Sequence, residues 1–145
     1  MTPRSAWILT LFGALPFIAA AAGAFALPLE HHARLLYAAT TYAAIILSFL
    51  GGIQWGLAVT LSETAPRSAR TLFMISVTVS LAGWCLLFIE PASLRLAIAA
   101  GLFVCVWTVD GLLRLQSLIP AWFFRLRGVA TAFVVGALLT LAIKI

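Results

Sequence analysis

Asp110 is the residue whose type and position most directly suggest chemistry, because it is an acidic side chain inside an apolar run. An ionisable group at membrane depth is a functional candidate by default, since it can bind an ion, relay a proton or hold a ligand. Arg114 follows one helical turn later, so the two side chains can instead pair and anchor a helix end at the membrane interface. The sequence leaves both interpretations of Asp110 open.

Gln54 is a second polar candidate, and it lies with Trp55 well inside a long run that has no charged residue. A buried amide without hydrogen-bond partners costs about 1–3 kcal/mol. Gln54 therefore either joins two helices through a hydrogen bond or contacts a ligand or water in a polar cavity.

The segment before the last apolar run combines aromatic and basic side chains. Trp122 is typical of the aromatic belt at a membrane surface, and Arg125 and Arg127 can extend to that surface. The alternative is a binding site for an acidic lipid head group, which Arg67 or Arg70 from a neighbouring loop would complete. Arginine suits such a site because its guanidinium donates two parallel hydrogen bonds to a phosphate.

The other chemistry-bearing residues form no recognisable catalytic or metal-binding motif. No paired carboxylates, GxSxG motif or phosphate-binding glycine loop is present. Glu30, His31 and His32 are adjacent, but neighbouring helix positions point to different faces and the spacing is not HExxH. We therefore expect no enzyme activity, no metal site and no cofactor.

The elements that position these residues are apolar runs long enough to cross a membrane. Of the 145 residues, 64% are hydrophobic and 9% are charged, against about 45–50% and about 25% in soluble domains. This composition excludes an ordinary soluble fold, a disordered chain and a disulfide scaffold. Since a crossing helix needs about 20 apolar residues, the chain has room for five spans and no soluble catalytic domain. The prediction is an all-α, polytopic integral membrane bundle, one domain over residues 1–145, with spans at 5–29, 35–62, 71–89, 94–115 and 120–144.

Small residues at helical spacing predict close helix packing. Gly52 and Gly56 form a GxxxG step in the second span, and such steps let helix backbones approach each other in lipid. The residues predicted to pack are Ser48, Gly51, Gly52, Gly56, Gly101 and Gly136. They pack either within the bundle or, as the alternative, along a seam between two copies of the chain.

The distribution of Lys and Arg predicts the orientation. One side of the membrane would hold Arg4, Arg67, Arg70, Arg114, Arg125 and Arg127. The other side would hold Arg34, Arg95 and Lys144. Because the richer side faces the cytoplasm, the N-terminus is predicted to be cytoplasmic and the C-terminus periplasmic. This placement accounts for the net charge of +5 without a nucleic-acid partner.

The first span has a rival interpretation as a cleaved signal peptide. Arg4, an apolar stretch and the A-x-A sequence at residues 24–26 fit that pattern. The apolar stretch is longer than a typical signal core, which favours a retained helix.

Two segments resemble a known family. The second span reads SFLGGIQWG over residues 48–56, and the fourth loop reads PAWFFRLR over residues 120–127. Together with the five-span layout and Asp110, they resemble the domain-of-unknown-function family 3429, the transmembrane protein 69-like family, over essentially the whole chain. The resemblance implies a small membrane protein of bacterial inner membranes or mitochondria, with no known activity. Members of the family that this chain resembles often have His or another polar residue at this position. Gln54 keeps the hydrogen bonding but cannot titrate, so a proton relay there is not expected.

We expect a non-enzymatic membrane protein that binds a lipid or quinone-like molecule, or serves as an accessory or assembly factor of a membrane complex. The alternative is a small transporter or channel subunit that acts as a homo-oligomer, and a membrane enzyme acting on lipid is third. The binding candidates are Gln54, Trp55, Asp110, Arg114, Trp122, Arg125 and Arg127. Expected partners are membrane lipids, other membrane proteins or further copies of the chain. The lack of an Arg-rich and Ser-rich transit peptide favours a bacterial inner membrane over the mitochondrial one.

Overall fold

The computed structural model describes residues 4–144, and all regular secondary structure in that range is helical. Five helices are long and apolar enough to cross a membrane, which confirms the predicted all-α, five-span fold. The helices are α1 (Arg4–Ala26), α2 (His32–Leu61), α3 (Pro66–Cys85), α4 (Ala92–Leu115) and α5 (Ala121–Lys144). Short 3-10 turns precede α2 at Leu29–His31 and follow α3 at Leu86–Phe88.

The helices start a few residues away from the apolar runs. α3 begins at Pro66, five residues before its predicted span, because proline fits a first helical turn where its missing N–H costs nothing. α2 begins at His32, after Pro28 and a 3-10 turn. Hydropathy marks the apolar centre of a helix, whereas the helix itself continues into the polar residues at its ends.

A tight turn after α4 brings α5 back beside it. Ser117 has a left-handed backbone with a φ of 59°. Its N–H donates to the Arg114 carbonyl at 3.0 Å, and the Leu118 N–H donates to the Leu113 carbonyl at 2.9 Å. These two bonds form a Schellman cap, and Leu113 and Leu118 meet in one apolar cluster, as is usual beside that cap. α4 and α5 therefore pack as antiparallel neighbours.

The interior is an apolar core that α1, α2, α4 and α5 share. The Phe17 ring of α1 lies between Tyr42 of α2 and Phe103 of α4, with ring centroids 5.0 Å and 5.9 Å away. Leu47 and Leu138 are fully buried in the same core. α3 lies at the side of this group and packs mainly against α2.

Two glycines bring α2 and α3 into close contact. A Cβ added at Gly51 would lie 2.6 Å from the Ser76 carbonyl oxygen and would also meet Ser80 Oγ. A Cβ added at Gly83 of α3 would lie 3.1 Å from the Cβ of Leu47. Since only a missing side chain permits this approach, Gly51 packs between helices as a small residue is expected to do in a membrane bundle.

The remaining small residues predicted to pack face outward. Ser48 is exposed, and a Cβ would meet nothing within 4 Å at Gly52, Gly56, Gly101 and Gly136. The prediction that these four glycines pack within the bundle is therefore wrong for the described chain. Successive helix residues are about 100° apart, so turning Gly51 towards α3 turns Gly52 away from it. A seam between two copies stays a prediction.

Candidate functional site

Three polar side chains from three helices meet inside the bundle. Gln54 of α2 donates from Nε2 to Asp110 Oδ1 of α4 at 2.9 Å, and Arg127 of α5 donates from Nε to Asp110 Oδ2 at 3.0 Å. The exposed fraction is 2% for Gln54 and Asp110 and 8% for Arg127. We call these residues the polar triad. The sequence singled out each of them, and the structure shows that they form one hydrogen-bonded group.

Asp110 has a different cation partner from the one predicted. Arg127 forms the ion pair, whereas Arg114 is exposed on α4. The predicted Asp110–Arg114 pair is therefore wrong, and so is the prediction that Arg127 extends to the membrane surface. Spacing along one helix gives Asp110 a local partner, but the packing of α5 against α4 brings a buried guanidinium to it.

Arg127 is buried because of where α5 starts and how it turns. The helix begins at Ala121, so Arg127 lies six residues along it, about 9 Å from the start. Thr131, Val134 and Leu138 follow on the same helix face and are also buried. These three residues follow Arg127 at distances of four, seven and eleven residues along the sequence. Residues at these spacings share one face of a helix, so the spacing is the sequence signal that Arg127 faces inward.

The charges of Asp110 and Arg127 balance each other within the triad, but one polar atom of the triad has no hydrogen-bond partner in the described chain. A buried ion pair is tolerated only when hydrogen bonds offset the desolvation of both groups, and the Gln54 amide supplies Asp110 with a second donor. Gln54 Oε1 is buried and has no hydrogen-bond partner among residues 4–144. Because most buried polar atoms in proteins are satisfied, this oxygen marks a position where a donor would be stabilised.

An apolar cavity of about 390 Å³ lies between α1, α2, α4 and α5 and reaches the triad at Arg127. Its volume is within the usual range of small-molecule sites, about 300–1,000 Å³. Arg127 is the one charged residue that lines it within the described chain, and Thr10 and Thr131 add two hydroxyl groups. Its apolar walls include Gly13, Phe17, Phe49, Phe103 and Val134.

The cavity opens sideways between α1 and α2. Leu9, Ile45 and Phe49 line it, and each is also exposed on the outer surface, with exposed fractions of 71%, 57% and 63%. In a bilayer this outer surface contacts lipid chains, because the helices present their apolar side chains there. A lipophilic molecule can therefore enter the cavity from the membrane without crossing a polar surface.

Arg127 gives the cavity a polar end, and its terminal N–H groups form no other hydrogen bond within the described chain. Its Nε donates to Asp110, and this is the one side-chain hydrogen bond that Arg127 forms among residues 4–144, so Nη1 and Nη2 are not used. A guanidinium carries five N–H donors in a fixed planar fork. The arrangement can thus hold the polar end of a molecule whose apolar part fills the cavity.

The other predicted binding residues lie apart from this cavity. Trp55 is exposed and packs edge-on against Phe73 with ring centroids 4.8 Å apart. Trp122 lies in the first turn of α5, and Arg125 is exposed. Arg125 and Arg127 therefore do not act as one surface site. Sequence reasoning missed the cavity walls, because residues such as Gly13 and Phe103 are typical of any apolar helix.

The polar cluster near the start of α2 is separate from the triad. Glu30 contacts His31 at 3.5 Å, and Nε2 of His32 lies 3.3 Å from the Leu27 carbonyl oxygen. Over residues 4–144, no group of three or more His, Cys, Asp and Glu side chains is close enough to hold a metal ion.

Five apolar helices, four of which line a cavity with a buried ion pair at one end, define a polytopic membrane protein. The chain belongs to the family described as a protein of unknown function (DUF3429), whose match covers residues 2–143. The family resemblance expected from the two sequence segments is thereby confirmed. Transmembrane protein 69 of Xenopus tropicalis is 30% identical over an alignment of 145 positions, which covers 94% of this chain and 53% of that protein. The chain thus spans about half the length of this relative, and no solved structure matches it.

Proposed function

We propose that this protein is a non-enzymatic membrane protein that binds a lipophilic molecule, a lipid or a quinone-like compound, in the cavity between α1, α2, α4 and α5. The observation that carries the proposal is Arg127, a buried cation that lines an otherwise mostly apolar cavity and keeps terminal N–H groups free of other bonds. A buried guanidinium is costly, so unused donors at the end of a cavity are best explained by a bound acceptor. The role would be to hold or present this molecule, alone or as an accessory or assembly factor of a larger membrane complex.

The proposed location is a bacterial inner membrane, with the N-terminus in the cytoplasm and the C-terminus in the periplasm. The support is the excess of Lys and Arg at the N-terminus and at the α2–α3 and α4–α5 loops. In this orientation the polar end of the cavity lies in the cytoplasmic half of the bilayer, because Arg127 is near the start of α5. A phosphatase fused after residue 145 should be active in the periplasm, and an inactive fusion would contradict this orientation.

The test of binding is native mass spectrometry of the chain purified in mild detergent. Wild type is expected to carry a discrete additional mass. Gly13→Leu should lower the fraction of chains that carry this mass, because its side chain would occupy part of the cavity. Gly13 lines the cavity, and the nearest atom to an added Cβ is Tyr42 Oη at 4.0 Å. Gly136→Leu is the matched control, since it makes the same change where nothing lies within 4 Å.

The two outcomes of this experiment separate clearly. Retention by Gly136→Leu together with loss in Gly13→Leu supports binding in the cavity. A bare wild-type chain, or equal retention by both variants, would contradict it.

A small transporter or channel subunit is the second candidate, and the observation that favours it is the polar triad at membrane depth. Intramembrane ionisable groups often belong to ion or proton pathways. If Asp110 carries protons, Asp110→Asn should abolish proton flux in liposomes while Gly136→Leu retains it. Unchanged flux in Asp110→Asn would exclude this role for Asp110.

A further inference from the structure

We propose that the molecule held in the apolar cavity carries an uncharged hydrogen-bond acceptor at its polar end, such as a quinone-type carbonyl, and not a phosphate or carboxylate. This inference rests on the proposed binding function and goes beyond it, because it names the chemical class of the ligand. It follows from the charge and the depth of the polar triad.

Charge is the first argument. Asp110 already neutralises Arg127, with Nε and Oδ2 3.0 Å apart and side chains only 10% and 3% exposed. An anionic ligand on the same guanidinium would give the buried group a net negative charge. Burying an uncompensated charge is costly, and repulsion between the ligand and Asp110 is strong where water is excluded. No other charged residue of the described chain lines the cavity to offset it.

Hydrogen bonding is the second argument. A carbonyl oxygen can accept from the free terminal N–H groups of Arg127 without adding charge to the triad. Bonds from an ionised donor are stronger than bonds between neutral groups, so a neutral acceptor gains stabilisation here without losing as much to desolvation as an anion would. Thr131, one helical turn further along α5, also lines this part of the cavity and can donate from its hydroxyl.

Depth and shape form the third argument. α5 is about 36 Å long and the hydrocarbon core of a bilayer is about 30 Å thick, so Arg127, about 9 Å from the first residue of α5, lies within that core when the helix is centred on it. The cavity walls include the rings of Phe17, Phe49 and Phe103. Flat rings pack well against aromatic side chains in offset or edge-on arrangements, which suits a ligand that carries a ring.

The test compares two probes that differ in charge and share a tail: decyl-benzoquinone, which is neutral, and 4-decylbenzoate, which is anionic at pH 7. Binding of each to the full chain in a non-ionic detergent is measured by titration calorimetry. We expect wild type to bind the quinone more tightly than the benzoate by about tenfold or more, because the benzoate meets an already neutralised guanidinium.

Asp110→Asn provides the sharpest variant, since it keeps the shape of the side chain and removes its charge. Arg127 then lacks its counter-ion, so the ratio of affinities should shift towards the benzoate by about tenfold or more. Glu63→Gln is the control, because it makes the same loss of one carboxylate charge at an exposed residue that does not line the cavity. Its ratio of affinities should match that of wild type.

The possible results are distinguishable. Equal affinity, or a preference of wild type for the benzoate, would overturn the inference while leaving cavity binding intact. An unchanged ratio in a folded Asp110→Asn chain would also overturn it. If wild type binds neither probe, the proposed binding function fails together with the inference. If Asp110→Asn does not fold, the wild-type ratio alone decides.

Discussion

Breaking the Asp110–Arg127 pair from one side should destabilise the bundle more than removing both partners. Asp110→Leu leaves Arg127 buried at 8% exposure without its carboxylate, and Arg127→Met leaves Asp110 without its counter-ion and with only the Gln54 amide bonded to it. Loss of one partner of a buried pair costs about 3–5 kcal/mol in soluble proteins. In detergent the unfolded chain can satisfy these groups in part, so we expect the lower end, about 3 kcal/mol for each single variant. The double variant replaces both charges with apolar groups but also removes the acceptor of the buried Gln54 amide, so we expect it to lie about 1–2 kcal/mol below wild type, less than either single variant.

The assay is reversible unfolding in mixed micelles, followed by circular dichroism and tryptophan fluorescence. Arg125→Met is the matched control, because Arg125 lies two residues before Arg127 on α5 and is exposed. Its free energy of unfolding should change by less than about 0.5 kcal/mol, as is usual for surface substitutions. Single variants at Asp110 and Arg127 that cost less than about 1 kcal/mol, or a double variant that costs their sum, would refute a buried, coupled pair.

Two further predictions test the positions that hold the helices together. Gly51→Ala should lower the free energy of unfolding by about 1–3 kcal/mol, because its Cβ would lie 2.6 Å from the Ser76 carbonyl oxygen. Gly52→Ala, where nothing lies within 4 Å of the added Cβ, should leave the free energy of unfolding unchanged or raise it by up to about 1 kcal/mol through helix propensity. The same unfolding assay measures both variants, and equal effects would contradict the α2–α3 packing. Ser117→Gly should raise the free energy of unfolding by about 1 kcal/mol, since the φ of 59° strains any residue with a side chain. A loss of stability in thermal unfolding of Ser117→Gly would contradict the cap described for α4.

The number and type of helices follow from the sequence because each apolar run is close to or above the roughly 20 residues that a helix needs to cross the hydrocarbon core of a bilayer. Helix bounds follow less closely, since capping and turn chemistry, as at Pro66 and Ser117, extend or end a helix outside its apolar centre. The five-span bundle was therefore predictable, whereas its bounds and turns were predictable only within a few residues.

The triad shows what sequence patterns can and cannot predict about a membrane site. Gln54 and Asp110 stood out because polar groups at membrane depth are costly. Their contact with each other and with Arg127 depends on how α2, α4 and α5 are rotated, and no local spacing fixes that rotation. Arg127 was assigned to the surface because of its aromatic neighbours, although its spacing to the buried residues of α5 pointed inward.

The glycines illustrate the same limit. Gly51 and Gly52 are neighbours of identical type, and the GxxxG pattern favours Gly52 and Gly56. The structure uses Gly51 for the contact with α3, where the Ser76 backbone approaches it, and leaves Gly52 and Gly56 with nothing of the described chain within 4 Å of an added Cβ. A pattern of small residues therefore predicts that close packing exists but does not identify the face that packs.

The most direct test of the central claim is an experimental density map of the protein in lipid nanodiscs, with a rigid binding partner attached to make the small chain visible. We predict an elongated density in the cavity of about 390 Å³, with its polar end within hydrogen-bond distance, about 2.7–3.2 Å, of the Arg127 Nη atoms. A cavity closed by its own side chains, or an Arg127 turned to the membrane surface and separated from Asp110, would contradict it.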